Sequence, residues 1–419
     1  MEKIINERFS ILKNKKVLIA CSTGIDSMVL LDMCLKKLKK ENIGIVHIHH
    51  NRRVESNIEK SFIEKFAAEH NIPFYFKKLE KYEGSNFQAW ARAERYDFFA
   101  KVTKEKGYDY VLLAHHADDN FETILMRILR SSSLKGYAGI DEITKYKDVL
   151  IYRPLLAISK DEIKNYASKN NITYFEDSSN SHDDYERNRM RHLVIPSLKA
   201  ENPNWCYAID NYSRTLSSAN EIVEMNVDNF LENKIKKYNF VGLFVREFLI
   251  DDFKILHPYI KERVMFSLFK SENFSKRTIN ELLEQIESKK EKIINCIGDN
   301  LTLVKEYNKC VIISGTIFKN EFTEKIEKEG TYYLKNNCQI IVNNNICEFK
   351  VNDYQESYQI NSLPITIRTR KKGDKMTLKT GTVSISDFLT NRKVPYLNRQ
   401  YAVILENDKQ EIIRIFYYK

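Results

Sequence analysis

Residues 17–31 read VLIACSTGIDSMVLL, which is an apolar run, a short polar turn and a second apolar run. Val17–Cys21 has the composition of a buried strand, and a segment with helical spacing of apolar residues begins at Ser27. In such a strand–turn–helix, the free N–H groups of the turn and of the helix N-terminus form a cradle for phosphate. The alternative is an ordinary connection in which a Ser or Asp side chain caps the helix.

The same alternation of short apolar runs and longer helical segments continues from Lys15 to about Asn170. It is typical of βα units and predicts an α/β domain with a buried parallel sheet. The expected strands are Val17–Cys21, Ile43–Ile48, Phe74–Lys77, Tyr110–Ala114 and Val149–Arg153. The expected helices between them are Ser27–Lys40, Ser56–His70 and Asn86–Lys106.

Beyond this domain the pattern changes twice. Residues 196–291 are mostly helical and charged, with the clearest amphipathic segments at Ile260–Phe269 and Lys276–Ser288. After Ile293, short runs separated by Asn-, Gly- and Lys-rich turns predict a small β-rich domain, with runs such as Gln339–Val342, Ile365–Thr369 and Tyr401–Leu405. The expected domains are therefore 1–200, 201–315 and 316–419.

Composition narrows the class of protein. The 419 residues are enough for two or three domains, because single cores rarely grow beyond ~250–300 residues. A formal charge of +10 suits a polyanionic partner and equally an ordinary basic enzyme. The seven cysteines form no CxxC pair, and the sequence has neither an apolar leader nor a run of ~18 apolar residues. We therefore expect a cytoplasmic protein.

Polar motifs also follow other expected strands, at the sheet edge where open α/β folds bind ligands. The second strand runs into HIHHNRR at 47–53, and the fourth into AHHADDNFET at 114–123. Asp119 and Glu122 share a face if a helix has begun there, and two carboxylates can hold an amine or Mg²⁺. A plain acidic first turn is the alternative. A zinc site is disfavoured, because the adjacent histidines lack helical spacing and no cysteine is near.

Arginines form three further groups. Arg92 and Arg95 lie three apart in the third expected helix, where an arginine could stabilise charge on a reacting phosphate. Arg187–Arg191 and Arg370–Asp374 are basic clusters suited to nucleic-acid phosphates. The alternatives are a solvated surface pair, a solvated helix face and a basic turn.

The loop STGIDS at 22–27 resembles the PP-loop, SGGxDS, of the ATP pyrophosphatase superfamily, whose members cleave ATP between its α- and β-phosphates to adenylate a substrate. Thr23 stands where that pattern has its first glycine. Because β-branched residues avoid positive φ, an intact cradle is expected to hold Thr23 at negative φ. Gly24 would let the backbone approach the phosphate closely.

Several motifs together resemble tRNA(Ile)-lysidine synthetases in order and spacing over roughly the first 200 residues: STGIDS, HIHHNRR, ARAERY, AHHADDNFET, RPLL, and EDSSN followed by RNRMR. A weaker likeness continues at 257–263, at 368–374 and at 393–395. The resemblance implies a Rossmann-like PP-loop domain, a helical domain and a β-rich domain, the last two binding tRNA. It also implies that ATP, Mg²⁺ and free L-lysine convert the first anticodon cytidine of a CAU-bearing tRNA(Ile) to lysidine.

Carried onto this chain, the resemblance assigns ATP binding to Ser22, Thr23, Gly24, Ile25, Asp26 and Ser27. It makes Asp26, Arg95 and His115 the catalytic group, and it lets Asp119 and Glu122 receive the lysine amine. It assigns tRNA binding to Arg187, Asn188, Arg191, Arg370, Lys371 and Lys372. Metal ligands stay undetermined, and the oligomeric state is open, with a homodimer among the options.

Two other functions compete with this interpretation. A tRNA sulfurtransferase would use the same ATP chemistry, but it needs a persulfide cysteine or paired thiolates, and the chain has no CxxC. A tRNA-binding protein with an inactive nucleotide loop would fit Thr23 and the positive charge. Release of pyrophosphate from ATP in the presence of tRNA separates the second rival from any enzyme.

Overall fold

The computed structural model describes residues 2–49, 55–80, 82, 84, 86–175, 186–297, 300–317, 321–334, 338–351, 354–378 and 381–418. The chain divides into two compact units, Met1–Ile222 and Val223–Lys419. The three-domain division expected from the sequence stays a prediction. Across these described ranges, no helix is long and apolar enough to cross a membrane.

The first unit is built on a mostly parallel sheet. Its strands are β1 Val17–Ala20, β2 Ile43–His49, β3 Phe74–Lys78, β4 Tyr110–Leu112, β5 Ile143–Tyr146 and β6 Val149–Tyr152. Its helices are α1 Glu2–Ser10, α2 Ile25–Lys37, α3 Glu55–Glu69, α4 Phe87–Lys106, α5 Ala117–Leu129, α6 Leu134–Tyr137, α7 Lys160–Lys169, α8 Glu186–Arg189 and α9 Ile195–Glu201. The π-helical turn Met190–Val194 joins α8 to α9, and α10 Trp205–Asn233 crosses the unit boundary.

The strand order is β3-β2-β1-β4-β6-β5, and every neighbouring pair is parallel except β5 with β6. The predicted parallel sheet is therefore confirmed, and β5 is an addition at its edge. Sequence reasoning missed β5 because this short strand is largely exposed and has no apolar run. The order reverses direction beside β1, between β2 and β4, which opens the crevice where such sheets bind ligands.

Helices cover both faces of this sheet. Alternate residues of a strand point to opposite faces. Val17 and Ile19 pack in one core with residues of α2 and α7, whereas Leu18 packs in another core with residues of α4. Side chains from α7 and from α4 therefore reach the crevice from opposite faces of the sheet.

The second unit begins with helices packed on an antiparallel sheet. Its strands are β7 Lys236–Phe240, β8 Leu243–Leu249, β9 Ile293–Cys296, β10 Leu301–Glu306 and β11 Lys309–Ser314, in the order β7-β8-β11-β10-β9. Its helices are α11 Ile250–Lys254, α12 Pro258–Leu268 and α13 Lys276–Glu287. The amphipathic segments predicted from the sequence correspond to α12 and α13.

The β7–β8 hairpin interrupts a region that the sequence analysis expected to be mostly helical. Val241 and Gly242 form its turn, with φ of 49° and 80°. Two successive residues at positive φ are typical of the tight hairpin turn that joins twisted antiparallel strands. Valine is an unusual residue for this turn, and so the turn was not recognised in the sequence.

The remainder of the second unit is rich in antiparallel strands, as predicted. Its strands are β12 Thr323–Ile326, β13 Gly330–Tyr333, β14 Gln339–Asn343, β15 Ile346–Val351, β16 Tyr354–Gln359, β17 Ile365–Thr369, β18 Lys375–Leu378, β19 Gly381–Ser384, β20 Val403–Glu406 and β21 Ile412–Phe416. Its helices are α14 Ile385–Asn391 and α15 Tyr396–Gln400. The three sheets have the orders β12-β17-β20-β21, β13-β14-β15-β16 and β18-β19.

Candidate active site

The loop between β1 and α2 lies at the crevice of the parallel sheet. The Ser22 N–H donates to Ser27 Oγ over 3.2 Å, and Ser27 Oγ donates to the Gly24 carbonyl over 2.9 Å. Gly24 is the N-cap residue of α2 and, as a glycine, provides no side-chain hydrogen bond to the first N–H groups of the helix. The first N–H groups of α2 are consequently available to an anion, which fits the hypothesis of a phosphate cradle.

Thr23 has a backbone conformation opposite to the one expected. Its φ is +67°, in the left-handed region, and the expectation of a negative φ was wrong. The side chain is fully buried, Oγ1 donates to the Ser22 carbonyl over 2.5 Å, and the Thr23 carbonyl accepts from the Phe175 N–H over 3.0 Å. These contacts hold a turn that glycine would adopt freely, whereas an L-residue pays about 1–2 kcal/mol for it. The tight turn after β1 therefore imposes a positive φ on Thr23, although threonine prefers a negative φ.

A cavity of about 220 Å³ opens beside this loop. Its lining unites side chains that the sequence placed in separate motifs: Ser22, Asp26, Ser27, Arg95, His115 and Asp119. The loop follows β1, and the histidine follows β4, so the reversal of strand order brings them together. Glu122 lies one helical turn further along α5, outside this lining.

Two predicted catalytic groups are electrostatically perturbed. Burial lowers the pKa of His115 to about 4; the Asp119 carboxylate opposes this shift, and nearby arginines add to it. Burial also lowers the pKa of Arg95, although a guanidinium keeps its charge at every pH of interest. His115 is therefore neutral at pH 7, and its ring can donate or accept a hydrogen bond beside a permanent positive charge.

His116, the neighbour of the predicted catalytic histidine, also contacts the site. It is buried, and its Nε2 lies 3.5 Å from Asp119 Oδ2 and 3.8 Å from Asp26 Oδ1. Burial opposes ionisation of Asp119, but His116, His115 and Arg187 hold the pKa of that carboxyl below its ordinary value. The sequence shows two adjacent histidines but does not reveal which of them bridges the two carboxylates.

The predicted amine acceptors and the predicted RNA-binding arginines meet in the structure. Arg187 Nε and Arg191 Nε each lie 2.6 Å from an oxygen of Glu122, whose side chain is 1% exposed. Arg187 Nη2 also lies 3.1 Å from Asp119 Oδ1. Asn188, between the two arginines, is half-buried. About 65 residues separate the partners along the chain, so the motifs alone did not indicate this contact.

Lys160 is a charged residue at the site that no motif indicated. Its Nζ lies 2.5 Å from Asp26 Oδ1, and its main-chain N–H donates to Asp118 Oδ2 over 2.8 Å. Ser159 and Glu162 form a reciprocal capping box at the start of α7. The capping pattern Ser-x-x-Glu marks that helix start in the sequence, but it does not show that the lysine faces the loop.

Other residues of the motifs have structural contacts. His47 Nδ1 lies 2.8 Å from the Cys21 carbonyl, and burial lowers the pKa of His47. Arg153 is buried and donates to the Asp141 carbonyl over 2.8 Å. Arg92 is exposed and does not line the cavity; it lies over the Tyr96 ring at 4.5 Å. The segments 50–53 and 176–180, from two further motifs, lie outside the described residues.

The second predicted RNA-binding cluster forms the turn between β17 and β18. Lys371 and Lys372 are exposed, whereas Arg370 is half-buried and burial lowers its pKa. Asp374 accepts from the Lys371 N–H over 2.6 Å and pairs with the buried Arg368. The carboxylate therefore shapes the turn, and the two lysines point to solvent.

Comparison with known proteins places this geometry in a family. The model of the PP-loop domain family matches residues 1–198. The chain is 29% identical to tRNA(Ile)-lysidine synthase of Mycoplasma mycoides, over 97% of each chain. It is 29% identical to tRNA(Ile)-lysidine synthase of Staphylococcus aureus, over 95% of this chain and 92% of that protein. Along nearly its whole length, the chain belongs to the tRNA(Ile)-lysidine synthase family, and its N-terminal part is a PP-loop domain.

Proposed function

We propose that this protein is an ATP-dependent carbon–nitrogen ligase that attaches free L-lysine to C2 of the first anticodon cytidine in a CAU-bearing tRNA(Ile). The product is lysidine, which changes the codon read from AUG to AUA, and AMP and pyrophosphate are released. One observation carries the proposal: the loop, His115, Arg95 and Asp119 line a single cavity at the reversal of strand order. Family membership supports the same function.

The first step is adenylation of the base. The cytosine O2 attacks the α-phosphorus of ATP, a new O–P bond forms, and the bond from that phosphorus to the bridging oxygen breaks to release pyrophosphate. The loop from Ser22 to Ser27 holds the phosphates through main-chain N–H groups. Arg95, charged and partly buried, stabilises the negative charge that develops at the reacting phosphate.

The second step is displacement of AMP by lysine. The ε-amine attacks C2 of the adenylated base, a C–N bond forms, and the C–O bond to AMP breaks while the amine loses a proton. Asp119 and Glu122 position the amine. The proton passes to water; burial lowers the pKa of His115 to about 4, so its ring stays neutral and takes part as a hydrogen-bonding group rather than as the base.

The arginines on Glu122 connect the lysine site to RNA. Arg187 and Arg191 are 45% and 35% exposed, and both hold a carboxylate proposed for the amine. Phosphate and carboxylate are alternative partners for a guanidinium. We assign Arg187, Asn188 and Arg191 to the RNA backbone, so that binding of tRNA turns the arginines toward phosphate and frees the carboxylates for lysine.

Mg²⁺ is the expected companion of ATP. No group of three His, Cys, Asp or Glu side chains in the described ranges could hold a metal without other ligands. Mg²⁺ is commonly held by one or two carboxylates together with substrate phosphates, and Asp26 in the cavity lining fits that role. The ion would neutralise phosphate charge. A cytoplasmic location, with ATP and tRNA at hand, completes the proposal.

Sulfur transfer has weaker support. Cys21 lines the cavity, but burial raises the pKa of its thiol, so the nucleophilic thiolate is disfavoured at neutral pH. The carboxylates on α5 suit an amine nucleophile better than a sulfur donor.

Transfer of labelled lysine tests the proposed function. The reaction contains tRNA(Ile) with a CAU anticodon, ATP and Mg²⁺, and the methionine tRNA with the same anticodon is the control. Incorporation into the isoleucine tRNA alone is the expected result. Pyrophosphate release without lysine incorporation would point to another nucleophile, and absence of both would favour a protein that binds tRNA without catalysis.

A further inference from the structure

Lys160 lies at the ATP site although the phosphate loop, 134 residues earlier in the chain, gives no hint of it. Its main-chain N–H is fixed by Asp118, and the capping box fixes the start of its helix. The backbone is therefore held in place independently of the side chain, and the ammonium reaches Asp26 on a flexible four-carbon stem.

Stability does not explain the pair. The side chains of Lys160 and Asp26 are 28% and 30% exposed, and ion pairs with this much solvent contact contribute little to folding. Asp26 also lies in the first turn of α2, where the helix dipole already favours a carboxylate. The contact costs little to break, which suits a group that exchanges partners when a ligand binds.

The chemistry of the site requires such a cation. The sequence has no GK[ST] and so lacks the lysine with which a Walker loop binds the β- and γ-phosphates. Arg95, on α4, reaches the cavity from one face of the sheet, and α7 packs on the opposite face. Lys160 is not among the residues that line the cavity, but its ammonium lies on Asp26, which does. A triphosphate lying across the crevice would therefore have Arg95 on one side and Lys160, next to the loop, on the other.

We propose that Lys160 binds the β- and γ-phosphates of ATP and stabilises the pyrophosphate that leaves during adenylation. On binding, the ammonium moves from the Asp26 carboxylate to a phosphate oxygen. When the bond from the α-phosphorus breaks, the electron pair passes to pyrophosphate, and the Lys160 charge stabilises it. The inference rests on the proposed function and adds a residue to it.

The test is equilibrium binding, by calorimetry, of AMP and of an ATP analogue with a β,γ-imido bridge. Lys160→Met is expected to weaken binding of the ATP analogue about tenfold to a hundredfold, the effect of losing one charge-assisted hydrogen bond. AMP, which lacks the two outer phosphates, should bind as in the wild type and reports that the site is folded. Lys160→Arg should restore most of the affinity, and Lys164→Met, exposed on the same helix, should have no effect.

Kinetics give a second readout. Lys160→Met should raise the KM for ATP and weaken inhibition by pyrophosphate, while the KM for lysine stays unchanged. The inference would be overturned if Lys160→Met bound the analogue as tightly as the wild type. It would also be overturned if the variant lost affinity for AMP and for the analogue equally. A wild-type protein that binds the analogue through Lys160 but never modifies tRNA would instead refute the proposed function alone.

Discussion

Asp26 and Glu122 are two carboxylates of one site that are paired in opposite ways. Asp26 pairs with Lys160, has His116 Nε2 3.8 Å away and is 30% exposed, whereas Glu122 is 1% exposed and held by two arginines. An exposed pair with one flexible cation exchanges partners at low cost. A buried carboxylate that loses its cations and gains no other suffers an uncompensated desolvation penalty. We therefore propose that the first pair serves ligand binding and that the second serves both ligand binding and stability.

The largest effect on stability is expected from removing both arginines. Arg187→Met with Arg191→Met leaves Glu122 buried without a partner and should lower the free energy of unfolding by about 3 kcal/mol. Adding Glu122→Gln should recover much of that loss, because the amide carries no charge. Urea unfolding of the double and triple variants measures both values. Equal stability of the wild type and the double variant would contradict the comparison.

Asp119 lies between Asp26 and Glu122. Its substitution should affect the lysine step and leave the adenylation step intact. Asp119→Asn should raise the KM for lysine by about tenfold to a hundredfold, through loss of one charge-assisted hydrogen bond. Release of pyrophosphate in the presence of tRNA should persist, since that step precedes attack by lysine. Asp161→Asn, an exposed carboxylate on α7, is the matched control. Full lysine incorporation by Asp119→Asn would remove this residue from the mechanism.

The lowered pKa of His115 predicts how stability depends on pH. The unfolded chain binds the proton of this histidine below about pH 6.5, whereas the folded protein binds it only below about 4. Its contribution to stability is therefore complete above pH 6.5 and is lost as the pH falls toward 4. His115→Asn should flatten that part of the curve when unfolding is measured at pH 7.5 and 5. An unchanged difference between the two pH values would show that the ring is not buried as described.

The smallest effect on stability is expected from Thr23, in the loop that precedes α2. Thr23→Gly should relieve the left-handed backbone, worth about 1–2 kcal/mol, and lose roughly 0.5–1 kcal/mol to the greater entropy of unfolded glycine. A net gain of about 0.5 kcal/mol is expected in the free energy of unfolding. Asn14→Gly is the control, because Asn14 also has a positive φ of 62° but asparagine tolerates it. Destabilisation by Thr23→Gly alone would mean that the threonine contacts outweigh the strain.

Much of the fold could be predicted, because the spacing of apolar residues along the sequence reflects which side chains are buried. The buried parallel strands β1, β2 and β6 appear as continuous apolar runs, and α13 appears as an amphipathic helix. The exposed edge strand β5 and the Val241–Gly242 turn have no such pattern in the sequence. Their structure depends on neighbouring strands rather than on local preference.

The site was predictable where a short, continuous motif determines its own local structure. The strand–turn–helix from Val17 to Ser27 located the loop, and motif order placed His115 near it. Contacts between distant segments were not predictable: Lys160 on Asp26, and the two arginines on Glu122. The backbone of Thr23 was mispredicted because the surrounding fold, not the residue, determines its φ.

In the proposed reaction, one site activates the base with ATP and then delivers lysine to it. The most direct measurement is the ratio of pyrophosphate released to labelled lysine incorporated, on tRNA(Ile) with a CAU anticodon and on the methionine tRNA. We expect one lysine for each pyrophosphate on the first tRNA and neither product on the second. Pyrophosphate released from ATP and tRNA(Ile) with no lysine incorporated would contradict this expectation.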